Sequence, residues 1–188
     1  MQNPIEQYNK TLKIGKAKFD VLNKIKRLLK GDFIITGSFS LVQFDVVSRP
    51  INDLDLIVSS DLEVENLLSI FGGKRFNFSE YLGATEVRQK HELCISSYFV
   101  EGQLQFRPVA QLMIDKVKVD LFVQSNINYE TVTYWRPDNE GERQYKVALP
   151  IYSIEAKRHY IQSLGQNMFK DKIEKHLSDI ESYNQLNK

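Results

Sequence analysis

The run Asp53-Leu54-Asp55-Leu56-Ile57-Val58 constrains the fold of this chain more than any other segment of comparable length. In an extended strand successive side chains point to opposite faces, so Leu54, Leu56 and Val58 belong on a core face and Asp53 and Asp55 share the other. A later run, Lys116-Val-Lys-Val-Asp120-Leu-Phe-Val, repeats the arrangement. There Val117, Val119, Leu121 and Val123 line the core, which sends Asp120 to the opposite side. If the two strands are neighbours, three carboxylates converge on one surface.

The bulk of the chain is ordinary. Its 188 residues suit one domain, or one domain with a small helical annex. With 42% apolar and 26% charged residues it reads as globular rather than disordered. Twenty-five basic side chains against twenty-four acidic ones leave almost no net charge, so attraction to nucleic acid has to come from a local patch. The single cysteine, Cys94, cannot form an internal disulfide, and its Glu-Leu-Cys-Ile setting reads as an inert strand thiol. No apolar run approaches membrane-spanning length, and Met-Gln-Asn-Pro-Ile-Glu-Gln lacks a signal-peptide pattern. The expectation is a cytoplasmic protein with no membrane partner.

Hydrophobic periodicity gives the element order. Residues 10 to 30 show helical spacing and end at Gly31. Asp32 to Thr36 is a strand, Ser38 to Asp45 a helix starting directly from it, and Leu54 to Val58 the next strand. Leu62 to Phe71 is a helix closed by Gly72-Gly73. Between Arg75 and Phe106 the pattern shortens towards period two, with a hairpin turn at Glu101-Gly102. Gln111 to Ile114 and Val117 to Val123 are strands around Asp115-Lys116. Ile127 to Gly141, which holds the only tryptophan, Trp135, reads as a loop. Tyr152 to Leu164 and Met168 to Leu186 are two last helices, separated by Gly165. The fold class is α+β: a small mixed β-sheet with helices packed on one side and a C-terminal helical annex. The expected division is 1–150 for the core with its basic N-terminal helix and 151–188 for the annex.

Three converging carboxylates without local cations repel one another and resist ionisation. Two Mg²⁺ ions, about 3.5–4 Å apart in sites of this kind, remove that penalty, and an all-oxygen set with no His or Cys suits Mg²⁺. Gly37-Ser38, separated from Asp53 by a spacer of fourteen residues, supplies a turn at a helix start. Glycine lets the backbone approach a phosphate, and Ser38 adds a hydroxyl donor. The competing reading is Ser38 as an N-cap and the aspartates as surface residues. Lys157 shares a helical stripe with Ile154, Ile161 and Leu164, which turns it inward. Its partner is then a triphosphate or a structural ion pair. Arg49 is either a phosphate ligand or a solvated loop residue. His176, on the stripe of Ile173, Leu177 and Ile180, reads as a core histidine bonded to Asp179. The lysine-rich strip over residues 10 to 30 is a solvated face or an RNA-steering surface. Trp135 with Arg136 is a base-stacking pair or an anchor on the domain.

Taken together, Gly37, Ser38, Asp53, Asp55 and Asp120 resemble the signature of the DNA polymerase β-like nucleotidyltransferase superfamily, and Arg49-Pro-Ile-Asn-Asp53-Leu-Asp55 is similar to the arginine-containing approach of its bacterial members. Ile154-Glu-Ala-Lys157 and Lys175-His176-Leu-Ser-Asp179-Ile resemble the C-terminal helices of abortive-infection toxin-type enzymes. The resemblance implies transfer of a nucleoside monophosphate from an NTP, ATP among them, to an acceptor hydroxyl with release of pyrophosphate. It implies that Asp53, Asp55 and Asp120 are catalytic and hold Mg²⁺ (two ions, with Mn²⁺ as the substitute), and that Gly37, Ser38, Arg49 and Lys157 bind nucleotide. The implied acceptor is RNA or a partner protein, as in toxin–antitoxin systems. The alternatives are a small-molecule (antibiotic) acceptor and a non-catalytic nucleotide-binding or interaction module.

Overall fold

A computed structural model of the chain describes residues 11–29, 31–76, 97–100, 103–106, 108–123, 130–138, 141–164 and 170–187. Cys94, the Glu101-Gly102 turn and Gly165 lie outside these residues. The elements run α1 (Lys16–Leu28), β1 (Ile34–Thr36), α2 (Gly37–Gln43), β2 (Asp53–Val58), α3 (Asp61–Phe71), β3 (Lys74–Arg75), β4 (Ser97–Val100), β5 (Gln103–Phe106), β6 (Ala110–Ile114), β7 (Val117–Val123), β8 (Thr131–Asp138), β9 (Gly141–Ala148), α4 (Pro150–Leu164) and α5 (Lys170–Leu186). Seven strands form a mixed sheet in the order β3-β6-β7-β2-β1-β9-β8, and β4 pairs with β5 as a separate ribbon. Two contacts are parallel, β2 with β7 and β1 with β9, and the remaining pairs are antiparallel. The architecture is the expected one: a mixed sheet with helices packed on one side and a C-terminal helical pair.

Alternation along the strands builds the core. Leu54, Leu56 and Val58 of β2 and Val119 and Leu121 of β7 are buried, and they join Ile35, Leu112, Tyr145 and Val147 in one cluster. Helix α1 adds Phe19, Val21, Leu22 and Ile25 to that cluster, and α3 adds Val64 and Leu67. Each such side chain stabilises the fold by about 1.5–3 kcal/mol relative to exposure. The start of α3 is fixed by the Ser60 hydroxyl, which accepts from the Glu63 N–H at 3.3 Å. Its end is fixed by Gly72 at φ +69°.

One expectation fails. The polar stretch read as a loop is mostly strand β8, paired antiparallel with β9 over Thr131–Asp138. Val132 and Tyr134 are buried on one face while Thr131, Thr133 and Trp135 stay partly exposed on the other. Trp135 is an edge-strand residue, its carbonyl accepting from Leu12 N–H at 2.9 Å. Arg136 donates to the Ile14 carbonyl, and its guanidinium lies 4.5 Å from the Phe19 ring centroid. Both side chains belong to positions that tie the N-terminal strap to the sheet edge.

The basic strip is largely paired. Lys13 meets Asp45 at 2.5 Å, Lys16 meets Asp20 at 2.7 Å, Lys24 meets Asp115 at 2.5 Å and Lys26 meets Asp32 at 3.2 Å. Lys10 and Lys30 lie outside the described residues. No helix among the described residues is long and apolar enough to cross a membrane.

The β6–β7 hairpin turns through Asp115 at φ +47° and Lys116 at φ +66°, a pairing of positive angles that matches the right-handed twist of its strands and favours glycine at the second position. Lys116→Gly is expected to stabilise the protein by about 0.5–1 kcal/mol, raising the melting temperature by roughly 1–4 °C. A thermal melt showing no rise would contradict the strain assigned to this turn.

Candidate active site

The parallel pairing of β2 with β7 sets the geometry. Its register puts Asp55 beside Asp120 and Asp53 beside Lys118, and neighbouring residues in register point to the same face. The antiparallel pairing of β1 with β2 puts Thr36 opposite Asp55, so the chain leaves β1 and enters α2 directly against that carboxylate.

Gly37 is required for this approach. It sits at φ +65°, and a Cβ added there would fall 1.8 Å from Asp55 Oδ2 and 2.9 Å from Asp55 Cβ. Rotating the Asp55 side chain clears the first clash but not the second. The first structural demand on this glycine is thus closeness to Asp55. The N-cap position of α2 is Thr36, with no side-chain capping bond, and Ser38 lies buried in the first turn. The helix has only seven residues, so polar side chains rather than a long helix dipole dominate the field around the turn.

The acids do not lack a local cation. Lys118 Nζ lies 2.9 Å from Asp120 Oδ2 and 3.6 Å from Asp53 Oδ2, which corrects the expectation that the three carboxylates stand alone. Gln111 of β6, opposite Asp120 in register, donates from Nε2 to Asp120 Oδ1 at 2.7 Å. Asp55 carries the cost of the crowding. Burial first, then the charges of Asp53 and Asp120, push its pKa up to about 7, against the pull of Lys157 and Lys118. For Lys118, burial works downward, but the hydrogen bond and charge of Asp120, helped by Asp53 and Asp55, leave its pKa raised.

A second cluster adjoins the first. Lys157, 7% exposed on α4, lies 3.2 Å from Asp179 Oδ2, 3.1 Å from Ser38 Oγ and 3.3 Å from His176 Nδ1. Arg49 donates from Nη2 to Asp179 Oδ2 at 2.8 Å and to Ser38 Oγ at 3.3 Å. Arg49 is therefore not a free loop residue, and the buried Asp179 of α5 holds both cations over the serine. Burial lowers the Lys157 pKa, opposed by Asp179 and by the more distant Asp55. His176 faces Lys157, an arrangement its apolar stripe did not suggest.

All seven sequence candidates thus fall in two adjoining groups: Asp53, Asp55 and Asp120 on the strands, and Ser38, Arg49 and Lys157 around the turn, joined by Gly37. Lys118, Gln111 and Asp179 were missing from the candidate set. Lys118 was legible, because Lys118-Val-Asp120 puts both side chains on one strand face. Gln111 needed the register of β6, and Asp179 needed the packing of α5 on α4.

The donor chemistry of the strand acids, all carboxylate oxygen, fits a hard divalent cation. They do not form a ready-made cage: among the described residues no group of three His, Cys, Asp or Glu side chains is arranged to hold a metal ion. Lys118 and Gln111 already engage Asp53 and both oxygens of Asp120.

No protein-family model matches the chain. No curated protein matches it either. Among solved structures it is similar to that of ANT(2″)-Ia in complex with adenylyl-2″-tobramycin, at 13% identity and a TM-score of 0.48, over 89% of this chain and 90% of that one. A likeness at this level bears on neither substrate nor chemistry.

Two measurements check the site electrostatics. A folded-state pKa raised from 3.8 to about 7 means that folded Asp55 binds its proton more tightly than unfolded Asp55. The stability of the metal-free protein therefore falls as pH rises through that window. Asp55→Asn is expected to remove the fall and to melt on the order of 5 °C above wild type at pH 7. Coincident melting curves at both ends of the window would contradict it. Gly37→Ala is expected to cost about 2 kcal/mol or more by denaturant titration, partly recovered when Asp55→Ala is combined with it.

Proposed function

We propose that this chain is a metal-dependent nucleotidyltransferase of the polymerase β-like type, moving a nucleoside monophosphate from an NTP to an acceptor hydroxyl. The observation that carries the reading is the register of β2 on β7, which sets Asp53, Asp55 and Asp120 on one face beside a cationic turn. Asp53, Asp55 and Asp120 are the groups that would hold Mg²⁺ or Mn²⁺. When bound, such ions neutralise the triphosphate and lower the pKa of an acceptor hydroxyl.

The chain's own residues supply position and charge. Ser38 offers a hydroxyl donor at the turn, and Lys157 and Arg49 bring two positive charges to it. In the transfer the acceptor oxygen bonds to the α-phosphorus as the bond to the pyrophosphate oxygen breaks, and Asp120 takes part in removing the hydroxyl proton. Asp179 holds Lys157 and Arg49 in place at the turn. Catalysis of this kind comes from positioning and charge stabilisation rather than covalent chemistry by the protein. The acceptor we favour is RNA or a partner protein, as in toxin-type enzymes, because the C-terminal helices bring Lys157 and Asp179 to the turn; a small-molecule acceptor is the competing choice.

A second reading has its own observation. Because no three acids are arranged to hold a metal ion among the described residues, a non-catalytic nucleotide-binding module is also consistent with the geometry. Incubation with each α-labelled NTP, Mg²⁺ or Mn²⁺, and cell RNA or lysate separates them. The enzyme reading predicts label on a macromolecule, reduced roughly a hundredfold or more by Asp53→Ala or Asp55→Ala in folded protein. Lys157→Ala should mainly weaken NTP binding. NTP binding without label transfer selects the module, and absence of both rejects the nucleotide reading.

A further inference from the structure

We infer that Lys118 is the acid cluster's own counter-ion, seated between Asp53 and Asp120, and that divalent cations load the site by displacing it. Lys118 then sets how tightly the empty site takes up metal. This rests on the proposed role of the acids as cation ligands and adds a residue which that role does not require.

The placement is specific. Lys118 is opposite Asp53 in the β2–β7 register and two residues from Asp120, so its stem rises on the acid face of the sheet. Its ammonium reaches one oxygen of each acid, at 3.6 and 2.9 Å. The side chain keeps 37% exposure, against 31% for Asp53 and 12% for Asp120, so it is not enclosed by the acids it pairs with. The nearby buried cation, Lys157, is tied to Asp179 and Ser38 instead.

An ammonium and a divalent ion cannot share the same pair of oxygens. Their positive charges repel, and a divalent ion repels the ammonium twice as strongly as a monovalent one at the same separation. Metal entry therefore requires the lysine to swing out, which its flexible four-carbon stem allows. Lys118 keeps Asp53 and Asp120 occupied and offsets their repulsion of Asp55.

Mn²⁺ titration of the full chain without nucleotide, followed by the EPR signal of the free ion, tests this in four proteins. Asp55→Asn sets the background. Lys118→Met is expected to bind Mn²⁺ on the order of tenfold more tightly than wild type, and Lys118→Arg, which keeps the charge, close to wild type. Equal or weaker binding by Lys118→Met, with wild type above background, overturns the counter-ion role and leaves the cation site standing. Binding at background by both wild type and Lys118→Met overturns both. Lys118→Gln, which keeps a donor to Asp120, carries the same comparison should the methionine prevent folding.

Discussion

The contact on which the rest depends is the parallel ladder between β2 and β7. Its register brings Asp55 and Asp120 side by side, and the two-residue periodicity of a strand then brings Asp53 and Lys118 into the same patch. One residue of slip would send Asp120 into the core and its apolar neighbours to the surface. The buried Leu54, Leu56, Val119 and Leu121 on the opposite face therefore hold the carboxylates in place. Core packing and site geometry are two sides of the same two strands.

Gathering acids this way is unfavourable, and the fold offsets the cost locally. Lys118 balances Asp53 and Asp120, Gln111 satisfies the remaining Asp120 oxygen, and Asp55 retains a proton up to about neutral pH. On the other side of Gly37 the signs are reversed, with a buried Asp179 holding Arg49 and Lys157. For the function we propose, the acid-rich patch would face the metal ions of a triphosphate and the cation-rich turn its phosphates. Gly37 is where the two meet, its missing side chain leaving room for Asp55.

Most of this was legible wherever a strand buried one face and exposed the other. Alternation in Asp53–Val58 and Val117–Val123 located the strands, the core face and the acids, and glycines marked the helix ends. The same alternation in Thr131-Val-Thr-Tyr-Trp is a weaker signal, because β8 is an edge strand whose second half is polar and ends in Pro137 and Asp138. Strand β9 was lost in the same way: Tyr145 and Val147 face inward between exposed Gln144 and Lys146. Periodicity in α4 turned Lys157 inward but could not name its partner. Asp179 and Arg49 arrive from elements more than a hundred residues apart, and only tertiary packing brings them together. Pairings of this kind leave no trace in local pattern.

The most direct test of the account is the anomalous signal from Mn²⁺ in crystals grown with a non-hydrolysable NTP. The account predicts metal density bounded by Asp53, Asp55 and Asp120, triphosphate over Ser38 and Lys157, and Lys118 withdrawn from the acids. Nucleotide bound elsewhere, with Lys118 still seated between Asp53 and Asp120 and no metal on the strands, would contradict it.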